Sequence, residues 1–437
     1  MEAPSHDTVT PVMTIRRRRF LYLSASAALG VAAGRPVATE QRSGNQTIPD
    51  SLRNLTPFPG KAAPISDDER RARIEKARRL MVDNGMGAIV LEPGTSMSYF
   101  VDVRWGLSER PFLLVIPAKG ELAYIAPGFE EARAREITRF SDDVRVWQED
   151  EDWGGVVAGI LKDRAVSGRV GVEERVRFFI AEGLRAANPS RQFVLATPVT
   201  AGCRMIKSAA EIALMQRAND ITIEAFKAAF ATLTEAMTHV ELQRNIQAAF
   251  SALGAPGGGA SAQFGKFTAF PHGSITPQRL QPGDVVLVDG GCTVGGYQSD
   301  VTRTTVFGKP TQRQIDVWNL EKRAQAAAFD AAQVGVTCES VDAAARKVIT
   351  DAGFGPDYKV PGLPHRTGHG IGMDGHEWTN FVRGNKTRLA PGMCFSDEPM
   401  IAIYGEFGIR LEDCLYITEQ GPRFFTPPSP AIDRPFA

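Results

Sequence analysis

Apolar residues recur at helical spacing once the chain passes position 65: Ile74, Ala77, Leu80 and Met81. This spacing predicts an amphipathic helix, and Ser66 with the acidic residues after it is typical of a helix N-cap. Three short apolar runs then predict strands at 88–91, 112–116 and 122–125, the last two forming a hairpin. Because helix and strand signals continue to alternate, residues 65–203 are predicted to form an α/β domain.

Longer helical patterns follow residue 204, at 211–230, 240–253, 312–332 and 341–352. Strand patterns punctuated by glycine occupy three further stretches, at 285–288, 296–306 and 366–418. The run from Cys203 to Ser208 is interpreted as a hinge between the two halves. Helices packed on a mostly antiparallel sheet, an α+β layout, are therefore predicted for residues 204–437.

Composition and charge narrow the class of protein. Of 437 residues, 43% are hydrophobic and 23% are charged, which is the balance of a globular protein. The 50 basic and 50 acidic side chains cancel, so no nucleic-acid partner is expected, because that would require a basic excess on one face. The five cysteines are odd in number and have no C-x-x-C spacing, which favours small buried hydrophobes over disulfides or a zinc knuckle.

The first 40 residues read as a secretory signal. Arg16–Arg19 precede an apolar, alanine-rich run at 21–34 that is too short to span a bilayer. The pattern Arg17-Arg18-x-Phe20-Leu21 resembles a twin-arginine signal, which exports folded proteins. Export to the periplasm is therefore predicted, with no membrane attachment of the mature form and with residues 41–64 as a linker or arm. An uncleaved anchor and a chance basic N-terminus are the alternatives.

Two aspartates stand out in the second half of the chain. Asp289 ends an apolar strand, and Asp300 follows 11 positions later. Two strands joined by a short turn would place these carboxylates side by side, where they repel unless a cation or a proton lies between them. Taken alone, Asp289 is better explained as the start of a turn.

Further candidates lie in the glycine-rich stretch at 366–418 and just before it. His365, His369 and His376 fall within 12 residues of a chain that has only six histidines. Glu398 precedes a proline, and Arg410 and Glu412 would share one face of a strand. Each of these has an ordinary alternative, such as a solvent-exposed face with salt bridges.

Five of these residues together form an ordered set of metal ligands: Asp289, Asp300, His369, Glu398 and Glu412. Oxygen-rich ligation with one imidazole suits manganese, cobalt, zinc or iron better than a thiolate site would. Four carboxylates nearly neutralise two divalent ions, which would share a bridging water and lower its pKa. Two divalent metal ions are predicted, with manganese favoured.

This ordered set resembles the ligand signature of the pita-bread metallopeptidases. The matching motifs are D-x-G at Asp289, S-D-x-T-R-T at Asp300, H-G-I-G at His369, E-P at Glu398 and R-x-E-D at Glu412. Residues 66–200 are also similar to the creatinase-type N-terminal domain, which methionine aminopeptidases lack. The resemblance thus points to the branch of Xaa-Pro aminopeptidase, prolidase and creatinase, with a pita-bread catalytic domain at 204–437 behind a creatinase-like domain at 65–203.

The resemblance implies roles for individual residues. Glu398 would pass a proton from the water to the leaving amine. His272 would help to position the substrate, and His365 and His376 would line the pocket and stabilise the tetrahedral oxyanion. Arg410 would hold the pocket by ion pairing. The alternative for each is a structural role behind the metal ligands.

The function implied is cleavage of the Xaa-Pro bond of peptides or dipeptides, with a substrate that carries proline at its second position. Relatives with this N-terminal domain suggest a homodimer. The segment Met400-Ile401-Ala402 departs from the glycine and tyrosine that often follow the E-P motif, so we expect an altered substrate pocket. Two alternatives remain open: a metal-dependent hydrolase or lyase acting on a small charged metabolite, and a binding module without activity.

Overall fold

A computed structural model of the protein describes residues 49–437. The signal predicted at 1–40 and the linker residues 41–48 lie outside the described residues and stay predictions. In the described part of the chain, no helix is both long and apolar enough to cross a bilayer. All five cysteines lie in this part, where each is buried and free of disulfide bonds, as the sequence predicted.

The helices are α1 Asp50–Arg53, α2 Asp67–Asp83, α3 Thr95–Val101, α4 Glu131–Ile137, α5 Trp153–Asp163, α6 Phe178–Ala187, α7 Thr197–Arg204, α8 Ala209–Phe230, α9 His239–Ala252, α10 Gln312–Ala331 and α11 Cys338–Asp351. The strands of the first half are β1 Met86–Leu91, β2 Leu113–Pro117, β3 Ala123–Pro127, β4 Val144–Trp147, β5 Arg169–Val172 and β6 Phe193–Leu195. Those of the second half are β7 Gly259–Phe264, β8 Val285–Gly291, β9 Thr293–Val294, β10 Tyr297–Gln298, β11 Val301–Val306, β12 Gly368–Gly370, β13 Glu377–Phe381, β14 Cys394–Asp397, β15 Met400–Ile403, β16 Phe407–Arg410, β17 Asp413–Thr418 and β18 Gly421–Phe424.

The first half is built on a six-stranded mixed sheet in the order β4-β3-β2-β1-β5-β6. Strands β2 and β3 are buried along their whole length and pair as the predicted hairpin, with Leu113 opposite Ile125. The predicted cap of α2 is present, since the Ser66 hydroxyl accepts a hydrogen bond from the Glu69 amide at 3.2 Å. Helices and parallel strands alternate around this sheet, as the α/β pattern predicted.

The second half places antiparallel sheets against helices. A three-stranded sheet runs β11-β8-β7, and a five-stranded sheet runs β13-β12-β14-β17-β18. Helices α10 and α11 pack on each other and contribute Trp318 and Val341 to the core that these sheets share. The α+β layout predicted for this half is therefore confirmed.

Two details differ from the strand pattern. The strand predicted at 296–306 is broken, because Ser299 turns back to Cys292, to which it is joined by hydrogen bonds from both its amide and its hydroxyl group. Asp300 therefore lies between β10 and β11 rather than inside a strand. The long stretch at 366–418 is likewise divided by turns into six strands, β12 to β17.

The predicted hinge is short and well ordered by capping. Helix α7 ends at Arg204, and α8 begins at Ala209. The Ser208 hydroxyl accepts from the Glu211 amide, while the Glu211 carboxylate accepts from the Ser208 amide at 2.7 Å. This capping box satisfies two amides at the start of α8. Arg204 is the last residue of α7, and Lys207 lies in the connection itself.

The described part of the predicted linker is docked on the second half. Leu52 of α1 is buried in the core formed by α8 and α9. The Phe58 amide donates to the Leu253 carbonyl at 3.0 Å, and Arg217 donates to the Phe58 carbonyl at 2.9 Å. Residues 49–64 therefore form an arm that lies along this surface.

Candidate metal centre

All nine residues that the sequence nominated meet at one cavity of about 440 Å³, together with Pro271 and Arg366. The nine are His272, Asp289, Asp300, His365, His369, His376, Glu398, Arg410 and Glu412. Asp289, His369 and Arg410 lie in three different antiparallel sheets, and the other six residues lie in loops. The cavity therefore depends on the tertiary structure that brings these segments together.

The first pair of carboxylates is organised by Thr302. This residue lies opposite Asp289 in the antiparallel register of β8 and β11. Its hydroxyl oxygen is 3.1 Å from Asp289 Oδ1 and 2.6 Å from Glu412 Oε2. A hydroxyl has one proton and donates to only one carboxylate at a time. Asp289 and Glu412 therefore share this donor, and Glu412 Oε1 has no hydrogen-bond partner among the described residues.

His369 presents a lone pair to the carboxylates. Its Nδ1 is 3.0 Å from the Gly370 carbonyl, which places the ring proton on Nδ1 in the neutral tautomer. Its Nε2 lies 3.3 Å from Glu398 Oε1 and 3.7 Å from Asp300 Oδ2. Burial lowers the pKa of His369 to about 4, so the ring is neutral near pH 7 and has the form that binds metal.

The charge of the cluster calls for a divalent ion. Burial raises the pKa of Asp300, and the neighbouring Asp289 and Glu398 carboxylates raise it further. Burial and Asp300 likewise raise the pKa of Glu412, whose buried Oε1 has no hydrogen-bond partner among the described residues. Ligand atoms of Asp300, His369 and Glu412 lie within 4.8 Å of one another. Three oxygen and nitrogen donors converging at this distance fit a divalent metal ion.

Arg410 is the buried cation beside this cluster. Its Nη2 lies 2.5 Å from Asp289 Oδ2, and its Nε donates to the Thr302 hydroxyl at 3.0 Å. Burial lowers the pKa of Arg410, but Asp289 and the other carboxylates more than reverse that effect and raise it. Arg410 and Glu412 are only 3% and 1% exposed, which excludes the alternative of a solvent-exposed face with salt bridges.

The accessory histidines differ in the nitrogen that they offer. His376 stacks on His369, with ring centroids 3.9 Å apart, and its Nδ1 accepts from Arg366 at 2.8 Å. Its Nε2 therefore carries the proton and can donate. His365 has the opposite arrangement, because its Nδ1 lies 2.7 Å from the Arg366 carbonyl while its buried Nε2 has no partner among the described residues.

Arg410, beside the proposed metal ligands, holds the loop that carries His272. Arg410 Nη1 donates to the Pro271 carbonyl at 3.1 Å. Phe270 packs on Tyr404 at the same edge, with ring centroids 5.4 Å apart. His272 thus reaches the cavity from a loop anchored by the cation that also binds Asp289.

Comparison with known proteins identifies the family. Residues 213–419 match the family described as Metallopeptidase family M24, and residues 73–206 match the Creatinase/Prolidase N-terminal domain. An uncharacterized peptidase of Schizosaccharomyces pombe is 36% identical over 404 residues, which is 87% of this chain and 86% of that protein. The chain belongs to metallopeptidase family M24.

Two further relatives bear on this M24 chain. An Xaa-Pro dipeptidase of Lactobacillus delbrueckii subsp. lactis is 32% identical and covers 81% of this chain and 96% of its own length. The crystal structure of dipeptidase PepE from Mycobacterium ulcerans superposes with a TM-score of 0.77 at 33% identity, covering 83% of this chain and 97% of that one. The predicted superfamily, fold class and metallopeptidase class are thereby confirmed.

Arg366 also lines the cavity, although the sequence did not lead us to predict a role for it. It is half-buried, donates to His376 Nδ1 and borders both the catalytic cavity and an adjacent cleft. The sequence does carry an indication of this role, because Arg366 is the one cationic residue in the histidine- and glycine-rich run at 365–370. It was overlooked because long cationic side chains are usually solvated.

The segment Met400-Ile401-Ala402, which departs from the motif of the relatives, lies in the core. These residues form β15, which is buried along its whole length against β16. All three belong to the hydrophobic core. None of the three is among the residues that line the cavity, so this segment adds no side chain to the cavity wall, and the altered pocket stays a prediction.

Proposed function

We propose that this M24 chain is a two-metal peptidase that hydrolyses the Xaa-Pro bond of short peptides or dipeptides. The observation that carries the proposal is the convergence of four carboxylates and the His369 Nε2 lone pair on one cavity. Family membership adds support, and the relative from Lactobacillus delbrueckii named Xaa-Pro dipeptidase suggests the substrate class.

The proposed ligands of the two divalent ions are the five residues of the ordered set: Asp289, Asp300, His369, Glu398 and Glu412. When bound, the ions supply a Lewis acid for the substrate carbonyl and lower the pKa of a water molecule. Manganese is the favoured metal, and cobalt, zinc and iron are alternatives with the same ligand preferences.

Glu398 is the proposed proton carrier. It follows β14 with its amide bonded to the Thr367 carbonyl at 2.9 Å, and its Oε1 accepts from the Ser396 hydroxyl at 3.2 Å. A carboxylate held in this way can take a proton from the attacking water and deliver it to the proline nitrogen as the C–N bond breaks. Water then supplies the oxygen of the new carboxylate and the hydrogen of the new amine.

His376 is the proposed donor to the tetrahedral oxyanion. Because Arg366 donates to Nδ1, the proton of the neutral ring lies on Nε2, where it can stabilise negative charge that develops in the transition state. His365 and His272, which also line the cavity, are proposed to contact the substrate. Arg366 is a cation at the edge of the cavity and is suited to a substrate carboxylate.

The decisive experiment is a substrate screen on metal-loaded enzyme. It compares Ala-Pro, Ala-Pro amide and Ala-Pro-Ala with Ala-Ala and with small betaine-like metabolites. Hydrolysis of the proline peptides but not of Ala-Ala supports the proposal, and weaker hydrolysis of the amide than of Ala-Pro supports carboxylate recognition. Turnover of the metabolites alone would favour the non-peptide alternative. Failure to bind manganese or cobalt at all would favour the binding module.

We also propose that the protein is exported and forms a homodimer. The twin-arginine pattern within residues 1–40 and the creatinase-type N-terminal domain motivate these two proposals. Light scattering of the protein without its first 40 residues measures the assembly, and a monomeric mass would refute the dimer.

A further inference from the structure

The turn between β12 and β13 carries His376 and is closed by the carboxylate of Glu377. Glu377 Oε1 accepts hydrogen bonds from the backbone amides of Met373 at 2.9 Å and Asp374 at 3.2 Å. The turn is also held from β10, because the Gln298 amide donates to the Gly372 carbonyl at 2.8 Å. The Glu377 carboxylate and the Gln298 backbone amide therefore hold the backbone just before His376.

Two cations bind this carboxylate. Lys207 Nζ lies 3.0 Å from Glu377 Oε2, and the Arg204 guanidinium contacts both Glu377 Oε1 and Asp374. The side chains of Lys207 and Glu377 are 1% and 4% exposed. Burial alone would raise the pKa of Glu377, but Lys207 and Arg204 lower it to about 2. The carboxylate is therefore ionised at neutral pH.

The N-terminal domain holds the same turn through Asp374. The Thr95 hydroxyl, at the start of α3, donates to Asp374 Oδ1 at 2.7 Å. Arg175, which follows β5, pairs with the same oxygen at 3.0 Å. Asp374 thus contacts Thr95 and Arg175 of the N-terminal domain through one oxygen and Arg204 through the other.

These contacts define an interdomain ionic cluster that consists of Thr95, Arg175, Arg204, Lys207, Asp374 and Glu377. We propose that the interdomain ionic cluster positions the His376 ring for catalysis, so that the N-terminal domain takes part in the reaction by fixing this turn. The inference rests on the proposed function, in which His376 donates to the oxyanion. Its residues are positioning residues, since none of them is proposed to touch the reacting atoms.

The physical reason is that a stacked ring tolerates little displacement. His376 lies on His369 at a centroid distance of 3.9 Å and receives the Arg366 hydrogen bond on its other nitrogen. A misplacement of about 1 Å in a catalytic group can cost about 100-fold in rate. Buried ion pairs are poor sources of stability compared with apolar packing, but their directional bonds define one geometry. Five charged side chains around one turn are therefore explained better by positioning than by stability.

The test removes the contacts of the N-terminal domain with Asp374 and leaves every residue of the turn unchanged. Thr95→Val combined with Arg175→Met deletes both contacts to Asp374 Oδ1. We expect kcat on the best substrate to fall about 10-fold, while KM, the metal content and the melting temperature stay near those of the wild type. Arg177→Met is the matched control, because Arg177 pairs with Glu92 inside the N-terminal domain and does not reach the turn. It should retain the wild-type kcat.

Arg204 offers a test of geometry against charge. Arg204→Met should lower kcat more than the double variant does, because it leaves Asp374 and Glu377 short of a shared donor. Arg204→Lys restores the charge but cannot form the fork that contacts both carboxylates, so it should recover only part of the loss. Full recovery with lysine would indicate that charge alone matters and would overturn the positioning role.

A spectroscopic readout separates this inference from the proposed reaction. In NMR spectra of protein labelled with 15N-histidine, the signals of His376 are assigned as those that disappear in His376→Gln. Its ring nitrogens should report one tautomer in the wild type and in Arg177→Met, and shifted or broadened signals in Thr95→Val with Arg175→Met. An unchanged His376 signal with unchanged kcat in the double variant refutes the inference. If the wild type hydrolyses no Xaa-Pro peptide, the proposed function fails, yet the signals still decide whether the cluster holds the ring.

Discussion

Arg410 and Asp289 form an ion pair in the candidate metal centre, with the buried Arg410 Nη2 2.5 Å from Asp289 Oδ2. The same guanidinium binds the Thr302 hydroxyl and the Pro271 carbonyl. It is thus joined to a carboxylate, to the strand opposite that carboxylate and to the loop of His272. This arrangement places one positive charge beside a cluster of acidic side chains.

Replacing Arg410 should therefore destabilise the metal-free enzyme more than the loaded one. Arg410→Met leaves the partly exposed Asp289 carboxylate without its ion-pair partner, at a cost of about 1–3 kcal/mol. Bound metal takes over part of the compensation, so the loss in free energy of unfolding should shrink when manganese is present. Urea unfolding with and without manganese measures this loss in the free energy of unfolding. Arg303→Met is the control, since Arg303 forms a buried ion pair with Asp413 at 2.7 Å. Equal losses for Arg410→Met in both states would contradict the prediction.

Asp300→Ala should abolish metal binding and turnover while the fold persists. The pKa of Asp300 is raised by burial and by the neighbouring carboxylates, so removing it relieves repulsion in the metal-free protein. The variant without metal should be at least as stable as the wild type, and manganese should raise the melting temperature of the wild type alone. Metal analysis and calorimetry are the measurements. Asp316→Ala, on the exposed face of α10, should behave like the wild type. Full activity in Asp300→Ala would refute the two-metal proposal.

His376→Gln should lower kcat by about 10²–10³ and change KM only slightly, because an oxyanion donor acts mainly in the transition state. Arg366→Gln should cause a smaller loss in kcat, since it removes the donor that sets the tautomer of His376. Steady-state kinetics on Ala-Pro distinguishes the two effects. A variant of His376 that raised only KM would assign this residue to ground-state binding instead.

Acid should weaken the interdomain ionic cluster through Glu377. Its pKa is about 2 in the folded protein against 4.5 for an unperturbed glutamate, so its contribution is present above pH 4.5 and is lost as the pH falls through 2. The shift corresponds to a free energy on the order of 3 kcal/mol. Glu377→Gln should be less stable than the wild type at pH 6, and the gap should narrow toward pH 3. A gap that stays constant in urea unfolding across this range would disprove the ionic contribution.

The signal prediction is tested in the cell. Arg17→Lys with Arg18→Lys should retain the protein in the cytoplasm, because the twin-arginine route requires both arginines. Fractionation followed by immunoblotting locates the protein. Arg16→Lys with Arg19→Lys keeps the same charge and spares the pair, so it should be exported normally. Periplasmic delivery of the first variant would exclude the twin-arginine assignment.

The sequence by itself determined the elements and the order of the ligands. Helical spacing located α2, α8 and α10 to within a few residues, because an amphipathic face is encoded by neighbours three and four positions apart. The five proposed ligands were also readable, since each lies in a short motif of the ordered set. These are properties of short windows of the chain, and family membership followed from them.

Only the tertiary structure decided which side chains meet. Arg204 and Glu377 are 173 positions apart, and nothing near either residue indicates the other. The break at Ser299, the burial of Met400 and the place of Arg366 beside His376 likewise depend on which strands pack together. Local sequence encodes local geometry, whereas the partner of a buried charge is chosen by how the sheets close around it.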